Sequence, residues 1–158
     1  MAISVSNVKR LNAVRIISRI DDAIDNDASD WEKYDEDPIE NESALKFLAD
    51  KLPTIFICNF ELDAKDNSRV QDSMFAGIDE DKNPRPAYGA WSLSVVKYSL
   101  KGIENPPGCK DPIRFKVDSK GNASEETLNM LQKVGIISEV FNHYLKMTQT
   151  GVNKNLKN

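Results

Sequence analysis

The sequence predicts a single α+β domain that is mainly helical and contains a small sheet. The chain has 158 residues, 40% of them hydrophobic, which is the size of one ordinary domain with one core. Two stretches, 88–103 and 124–145, repeat apolar residues at the three- and four-residue spacing of an amphipathic helix. Two shorter runs, TIFICNFEL (54–62) and IRFKV (113–117), have the composition of strands.

The N-terminal segment has apolar residues spaced three and four apart, which predicts a helix over residues 6–24. These residues are Val8, Leu11, Val14, Ile17, Ile20 and Ile24. Ile and Val also favour strands because they branch at Cβ. Two short strands, ISV and VRII, are therefore the competing interpretation.

Residues 21–42, DDAIDNDASDWEKYDEDPIENE, form a segment that we call the acidic arm. It contains 11 acidic residues and a single lysine, Lys33. The whole chain has 25 acidic and 21 basic residues, so the remainder has 14 acids and 20 bases. The net charge of −4 therefore conceals an acidic segment attached to a mildly basic body.

Between the acidic arm and residue 86 the sequence predicts several short elements. Ser43 can cap a helix, ALKFLADKL, which Pro53 ends. The strand 54–62 and a turn follow, and residues 68–78 fit either a short helix or an extended segment. Residues 79–86 contain two prolines and an asparagine, which predict a loop.

The C-terminal half contains the most regular helical patterns. The helix from Tyr88 is expected to end near Gly102, at the position where a left-handed cap is common. The strand 113–117 follows, and Ser124 is placed to cap the last helix. Residues 148–158 are polar and contain no acid, which predicts a tail. The buried core is expected to include Phe56, Cys58, Phe60, Trp91, Val95, Leu131 and Phe141.

The sequence offers few residues for catalysis, and we predict no catalytic residue, no metal site and no cofactor. The only histidine, His143, lies in the last predicted helix and lacks recognisably spaced partners for a metal site or a nucleophilic triad. Cys58 alternates with phenylalanines in a strand, as a small buried residue would, and Cys109 lies in a turn without an evident base. Two distant cysteines suggest a reducing compartment rather than a disulfide framework.

A calcium-binding EF-hand loop is the alternative for the acidic arm. Positions 1, 3, 5 and 12 of that loop would be Asp25, Asp27, Ser29 and Glu36. The match fails at position 6, where the sharp turn requires Gly and the chain has Asp30. It also fails at position 8, because Glu32 takes the place of an apolar residue.

A partner-docking role is the function we predict for the acidic arm. Repulsion between like charges extends such a segment, while aromatic rings supply area to bury on a partner and acids steer the encounter. The predicted partner-binding residues are Trp31, Tyr34, Asp35, Glu36, Asp37 and Ile39.

Residues 88–147 resemble a known family. In order they read YGAWSLSVVKYSLKGIENPPG, DPIRFKVDSKGN and ASEETLNMLQKVGIISEVFNHYLKM. This order is similar to the C-terminal half of tail assembly chaperones and related small tail-morphogenesis proteins of tailed bacteriophages. TIFICNFEL and DNSRVQDSMF extend the resemblance to residues 54–147, although Leu100 and Lys101 stand where the family often has a tryptophan. The resemblance implies a non-enzymatic protein that holds a long helical tail protein or tube subunits during assembly.

We therefore expect a protein-binding factor whose partners are phage tail or other particle proteins, with homo-oligomers formed between acidic arm and basic body. One alternative is an acidic DNA mimic that inhibits a nuclease or defence complex. Another is a resident structural component of the virion. The chain has no apolar run near the roughly 20 residues of a membrane span, and its start lacks the core of a secretory signal. The expected location is the host cytoplasm or the virion, and direct nucleic-acid binding is not expected.

Overall fold

The computed structural model describes residues 11–21, 23, 29–38 and 52–156, with residues 29, 30 and 149–156 described by their backbone alone. Five strands and five helices lie within these ranges. The strands are β1 (Val14–Ile17), β2 (Ile55–Cys58), β3 (Phe75–Ile78), β4 (Pro84–Pro86) and β5 (Leu100–Glu104). The helices are α1 (Ser29–Glu36), α2 (Ala64–Asp72), α3 (Tyr88–Ser99), α4 (Glu125–Lys133) and α5 (Ile136–Leu156). The predicted single-domain α+β fold is confirmed.

The main sheet has three antiparallel strands in the order β1-β2-β5. Successive side chains of a strand point to opposite faces, so the register assigns every residue of the sheet to one face. The inner face consists of Val14, Ile16, Phe56, Cys58, Leu100 and Ile103. The main core forms between this face and α3, α4 and α5, from which Val96, Leu131, Ile137 and Val140 are buried.

The outer face of the sheet is covered in part by α1, so the sheet lies between two helical layers. Ile17 and Ile55 on this face are buried with the rings of Trp31 and Tyr34. On the same face, Arg15 Nη2 lies 2.6 Å from Oε2 of Glu104 and joins the two edge strands. Because Glu104 pairs with Ile55, this ion pair lies next to the part of the outer face that α1 covers.

The predicted helix over residues 6–24 is wrong within its described part, because Val14–Ile17 forms β1. The competing interpretation of VRII as a strand is confirmed. Val14 and Ile16 enter the main core, while Ile17 enters the α1 layer. A strand buried on both faces reads as a continuous apolar run without alternation, so the run was open to a helical interpretation.

The strand predicted at residues 54–62 is confirmed for Ile55–Cys58, which forms β2, and residues 59–62 are not part of it. The expected helix ALKFLADKL lies outside the described residues, except for Leu52. The expected left-handed cap at Gly102 is wrong, since α3 ends at Ser99 and the chain passes directly into β5. Gly102 lies instead on the outer face, where Cδ1 of Ile57 is 3.6 Å from the place of a Cβ.

The strand predicted at 113–117 is also wrong, although the segment is extended. Only Val117 forms a β-bridge, to Ala123. The hydroxyl of Thr127 accepts from the N–H of Lys116 at 2.8 Å and donates to its carbonyl oxygen at 2.9 Å. The same carbonyl oxygen accepts from the backbone N–H of Ser124 at 2.9 Å, so Thr127 and Ser124 together hold this segment.

The last predicted helix begins as expected, because the Ser124 hydroxyl accepts from the backbone N–H of Thr127 at its N-terminus. The helix does not run unbroken to residue 145. Gly135 has a φ of +78° and separates α4 from α5, which is a conformation that favours glycine. The backbone of α5 then stays helical to Leu156, through residues that the sequence predicted as a tail.

Six of the seven predicted core residues are buried, and the seventh, Trp91, is half-buried against Phe141. The segment 68–78 resolves into the end of α2 followed by β3. The region 79–86, predicted as a loop, contains the turn and the short strand β4. No helix in the described part of the chain is long and apolar enough to cross a membrane.

Candidate protein-binding surface

Trp31 and Tyr34, the predicted aromatic anchors for a partner, are buried in the protein itself. Their side chains are 4% and 2% exposed and pack on Ile17 and Ile55. The Tyr34 hydroxyl also donates a hydrogen bond to the carbonyl oxygen of Arg15 on edge strand β1. These rings therefore cover the outer face of the chain's own sheet, and their binding to a partner stays a prediction.

Asp35 is the polar centre of the attachment of α1. Its Oδ1 lies 3.1 Å from Nε2 of His143 on α5, and its Oδ2 lies 3.2 Å from Nη2 of Arg19. Its backbone carbonyl accepts a hydrogen bond from Nζ of Lys146 at 3.4 Å. The Arg19 guanidinium also lies 5.3 Å from the centre of the Trp31 ring, within the range of a cation–π contact. One carboxylate therefore ties α1 both to α5 and to the segment after β1.

These contacts determine the charge state of Asp35. Burial raises the pKa of its carboxyl group, while the hydrogen bond and charge of His143, followed by those of Arg19, lower it. These contacts outweigh burial, and the pKa of Asp35 lies below its ordinary value of 3.8. Asp35 is therefore ionised and bonded within the fold, and its binding to a partner stays a prediction.

A second carboxylate, on α5, anchors the end of β1 to that helix. Glu139 on α5 accepts from the Ser18 hydroxyl at 2.5 Å and from the backbone N–H of Arg19 at 2.8 Å. One turn of helix separates Glu139 from His143, so α5 presents both groups along one side. The sequence did not predict the contacts of Ser18 and Arg19 with Glu139, because no local pattern indicates contacts between residues about 120 positions apart.

Of the remaining predicted partner-binding residues, Glu36 is exposed and Asp37 is half-buried. The backbone N–H of Asp37 donates to the carbonyl of Lys33 at 3.2 Å and closes the end of α1. Ile39 lies outside the described residues. The EF-hand alternative does not fit, since residues 29–36 are helical where the calcium loop must wrap its ligands around the ion.

The pairing of Asp35 with His143 resembles the orienting half of a catalytic pair, but the imidazole is only 7% exposed. Its Nδ1 is buried and has no hydrogen-bond partner, whereas a general base must reach the proton of a substrate or nucleophile. Burial also raises the pKa of the Cys58 thiol, which keeps it protonated. Across the described ranges, no three His, Cys, Asp or Glu side chains are grouped to hold a metal ion.

The β3–β4 hairpin is the feature that sequence reasoning missed. It forms a separate two-stranded sheet, and all seven of its residues are exposed. Phe75 pairs with Pro86 and Ile78 pairs with Pro84, so the four residues of β3 lie opposite the three residues of β4. This irregularity is a β-bulge, and Gly77 within it has a φ of +83°.

The bulge brings four apolar side chains to one face. Pro84 and Pro86 are two residues apart and share a face of β4. Their directly opposed partners, Ile78 and Phe75, lie on that same face. We call Phe75, Ile78, Pro84 and Pro86 the hairpin face. Phe75 is 51% exposed and Ile78 is 69% exposed, so this face is turned to solvent.

The hairpin is anchored to the core through its base and the start of α3. The backbone N–H of Ala87 donates to the carbonyl of Met74 at 2.8 Å. Tyr88, 64% exposed, stacks on Trp91 with ring centres 6.2 Å apart. Trp91 in turn meets the buried ring of Phe141 edge-on at 4.9 Å. The base of the hairpin is therefore joined to the start of α3, whose aromatic rings pack toward the core.

No protein-family model, curated protein or solved structure matches the chain.

Proposed function

We propose that this chain is a non-enzymatic protein-binding factor in bacteriophage tail or particle assembly, and that the hairpin face is its contact surface. The observation that carries the proposal is the exposure of Phe75 and Ile78 on a projecting hairpin. An apolar patch turned to water is characteristic of protein–protein interaction sites. A two-stranded hairpin is also only marginally stable by itself, so packing against another protein would stabilise it.

The phage context of the proposal rests on the sequence resemblance over residues 54–147. On that basis the expected partners are tail or other particle proteins, met in the host cytoplasm or retained in the virion. A resident structural component of the particle is the related alternative, since it would use the same surface permanently rather than during assembly.

The DNA-mimic alternative is less well supported by the placement of the acidic residues. A mimic needs carboxylates displayed toward a basic cleft. Asp35 is instead bonded to His143 and Arg19. Asp21 accepts from the backbone N–H groups of Ala23 and Thr54. These carboxylates stabilise the fold and are not free to imitate phosphates.

Co-purification tests the proposal. The tagged chain is expressed in infected host cells, and the bound proteins are identified for the wild type, for Phe75→Ser with Ile78→Ser, and for a control. The control is Val117→Ser with Met130→Ser, because these residues are 54% and 45% exposed but lie outside the hairpin. Tail or particle proteins should bind the wild type and the control and be lost with the hairpin variant.

Other outcomes contradict the proposal. Retention of the same particle proteins by the hairpin variant would remove the hairpin face from the contact. Recovery of a nuclease or defence complex, with its activity suppressed, would support the DNA-mimic alternative. Absence of any particle protein from the wild-type sample would contradict the assembly role itself.

A further inference from the structure

We infer that helix α1 is a strap that opens from the outer face of the main sheet as one unit while the rest of the domain stays folded. Opening exposes Ile17 and Ile55 and releases the rings of Trp31 and Tyr34, which are buried against them. Both rings are almost fully covered in the closed state, so they can reach a partner only when α1 is open. This inference is independent of the hairpin face, and three properties of α1 support it.

The packing of α1 is separate from the main core. Its two rings are buried with Ile17 and Ile55 on the outer face, whereas the main core lies on the inner face of the same sheet. The described side chains of α1 contribute nothing to that core. Strand β1 also keeps its own anchors, because it pairs with β2 along its length and Glu139 of α5 accepts from the Ser18 hydroxyl. Opening of α1 therefore leaves the main core and the sheet in place.

Helix α1 is too weak to persist without its docking contacts. It has eight residues, SDWEKYDE, of which four are acidic and one is basic, and isolated helices shorter than about 12–15 residues are marginal in water. Glu32 and Glu36 are four residues apart, where like charges repel. Asp35 and Glu36 lie at the C-terminal end, where the helix dipole disfavours negative charge. The helix therefore depends on its contacts with the sheet and α5, and we expect it to be lost with them.

Two of the docking contacts are incomplete. Asp35 bonds to His143 and Arg19, but the Arg19 side chain is exposed, and exposed ion pairs contribute little. Nε1 of Trp31 is buried and has no hydrogen-bond partner among the described residues. A buried donor without a partner destabilises the closed state, and opening returns this donor to water. Opening of α1 should therefore cost less free energy than unfolding of the whole domain.

Thiol labelling of the full-length chain, followed by peptide mass spectrometry, tests the inference. Cys109→Ser removes the exposed cysteine. Ile55→Cys places a thiol under α1, while Cys58 on the same strand faces the main core. The two labelling rates therefore compare opening of α1 with global unfolding in one molecule. We expect the thiol of Ile55→Cys to react at least about tenfold faster than Cys58, because local opening is more frequent than global unfolding.

Two further substitutions distinguish the two events. Thr127→Val weakens the main body, so it should speed the labelling of Cys58 about tenfold and leave the thiol of Ile55→Cys unchanged. Asp35→Asn removes contacts that are lost in both events, so it should speed both labelling rates by the same factor. Equal labelling rates for the two thiols, or acceleration of both by Thr127→Val, would overturn the inference.

Hydrogen–deuterium exchange of the wild type provides a test that needs no cysteine variant. In dilute urea, the backbone amides of residues 33–37 should show one shared, small dependence on urea, because this dependence scales with the surface that an opening exposes. The amides of β2 should show the steep dependence of global unfolding. A steep dependence in both elements would contradict separate opening. Exchange of each α1 amide at its own urea-insensitive rate would contradict opening as one unit.

Discussion

His143 and Asp35 are 108 residues apart in the chain, and their side chains meet at 3.1 Å between Nε2 and Oδ1. The contact joins the middle of α5 to the last turn of α1. Asp35 thus belongs both to the most acidic part of the sequence and to the interior of the fold. The surplus of negative charge around it had suggested a segment directed at solvent or a partner.

Replacing Asp35 by asparagine should reduce the free energy of unfolding by about 1–3 kcal/mol, the range for hydrogen bonds to charged groups and their loss. The carboxylate is 22% exposed, and Asn cannot neutralise Arg19. Urea unfolding followed by circular dichroism measures the change. Glu36→Gln on the same helix is the matched control, because Glu36 is exposed and should change stability by less than about 0.5 kcal/mol. Equal effects of the two substitutions would show that the Asp35 contacts contribute nothing.

The stabilisation by Asp35 should also depend on pH. The pKa of Asp35 is lower in the folded protein than the ordinary value of 3.8. As pH falls, Asp35 is therefore protonated in the unfolded chain at a higher pH than in the folded protein. The contribution of Asp35 to the free energy of unfolding is therefore complete above pH 3.8 and is lost as pH falls through the folded-state pKa. Urea unfolding of the wild type and of Asp35→Asn, repeated across the acid range, should show the two stabilities converging. A difference that stays constant to the lowest pH would contradict the lowered pKa.

Alanine at Trp31 should reduce the free energy of unfolding by about 3–5 kcal/mol, the usual cost of emptying a buried aromatic site. The reason is that the indole is 4% exposed and packs on Ile17 and Ile55. Glu32→Ala, at the next and exposed position of α1, is the control and should change stability by less than about 0.5 kcal/mol. Thermal and urea unfolding provide the measurement. A loss below about 1 kcal/mol at Trp31 would restore the docking-arm hypothesis.

The elements that could be predicted are those whose signals are local. The Ser124 cap bonds a backbone N–H three residues on, and the apolar run around Phe56 is bounded by turn residues on both sides. Buried Val95 of α3 and Phe141 of α5 follow from helical periodicity. Each of these inferences needs only neighbours in the sequence, and each is confirmed.

The elements that could not be predicted depend on distant parts of the chain. Strand β1 lacks alternation because separate segments cover its two faces. Trp31 and Tyr34 looked available because carboxylates surround them, yet the sheet that buries them is made from other regions. The sequence pattern did not predict the hairpin face, because a β-bulge changes the alternation of side chains. Phe75 and Ile78 are an odd number of residues apart, which in a regular strand would place them on opposite faces.

The hydroxyl of Thr127 should contribute measurably to the free energy of unfolding. It satisfies both the N–H and the carbonyl of Lys116 and is 1% exposed. Thr127→Val keeps the shape but removes the hydroxyl from both groups. The Lys116 carbonyl keeps the N–H of Ser124, so the cost of about 1–3 kcal/mol comes from the N–H of Lys116. Thr127→Ser retains a hydroxyl and should recover part of the loss, as measured by urea unfolding. Equal stability of the valine and serine variants would show that the hydroxyl bonds are not needed.

The break between α4 and α5 should depend on the backbone freedom of Gly135. Its φ is +78°, and no atom lies within 4 Å of the place where a Cβ would be. The cost of Gly135→Ala is therefore conformational and not steric, at about 1–2 kcal/mol for an L-residue in the left-handed region. Gly102→Ala is the matched control. Gly102 has no positive φ, and its nearest neighbour, Cδ1 of Ile57, would be at an ordinary contact distance of 3.6 Å.

Alanine at Gly102 should be neutral or stabilising by up to about 1 kcal/mol, because glycine in a strand loses more backbone entropy on folding. The two variants make the same chemical change, so a difference in their unfolding free energies isolates the effect of φ. If Gly135→Ala is as stable as the wild type, the connection between α4 and α5 does not need a glycine in the left-handed conformation. The separation of the two helices would then have to come from the packing of Leu131 and Ile136 in the core, and not from the backbone between them.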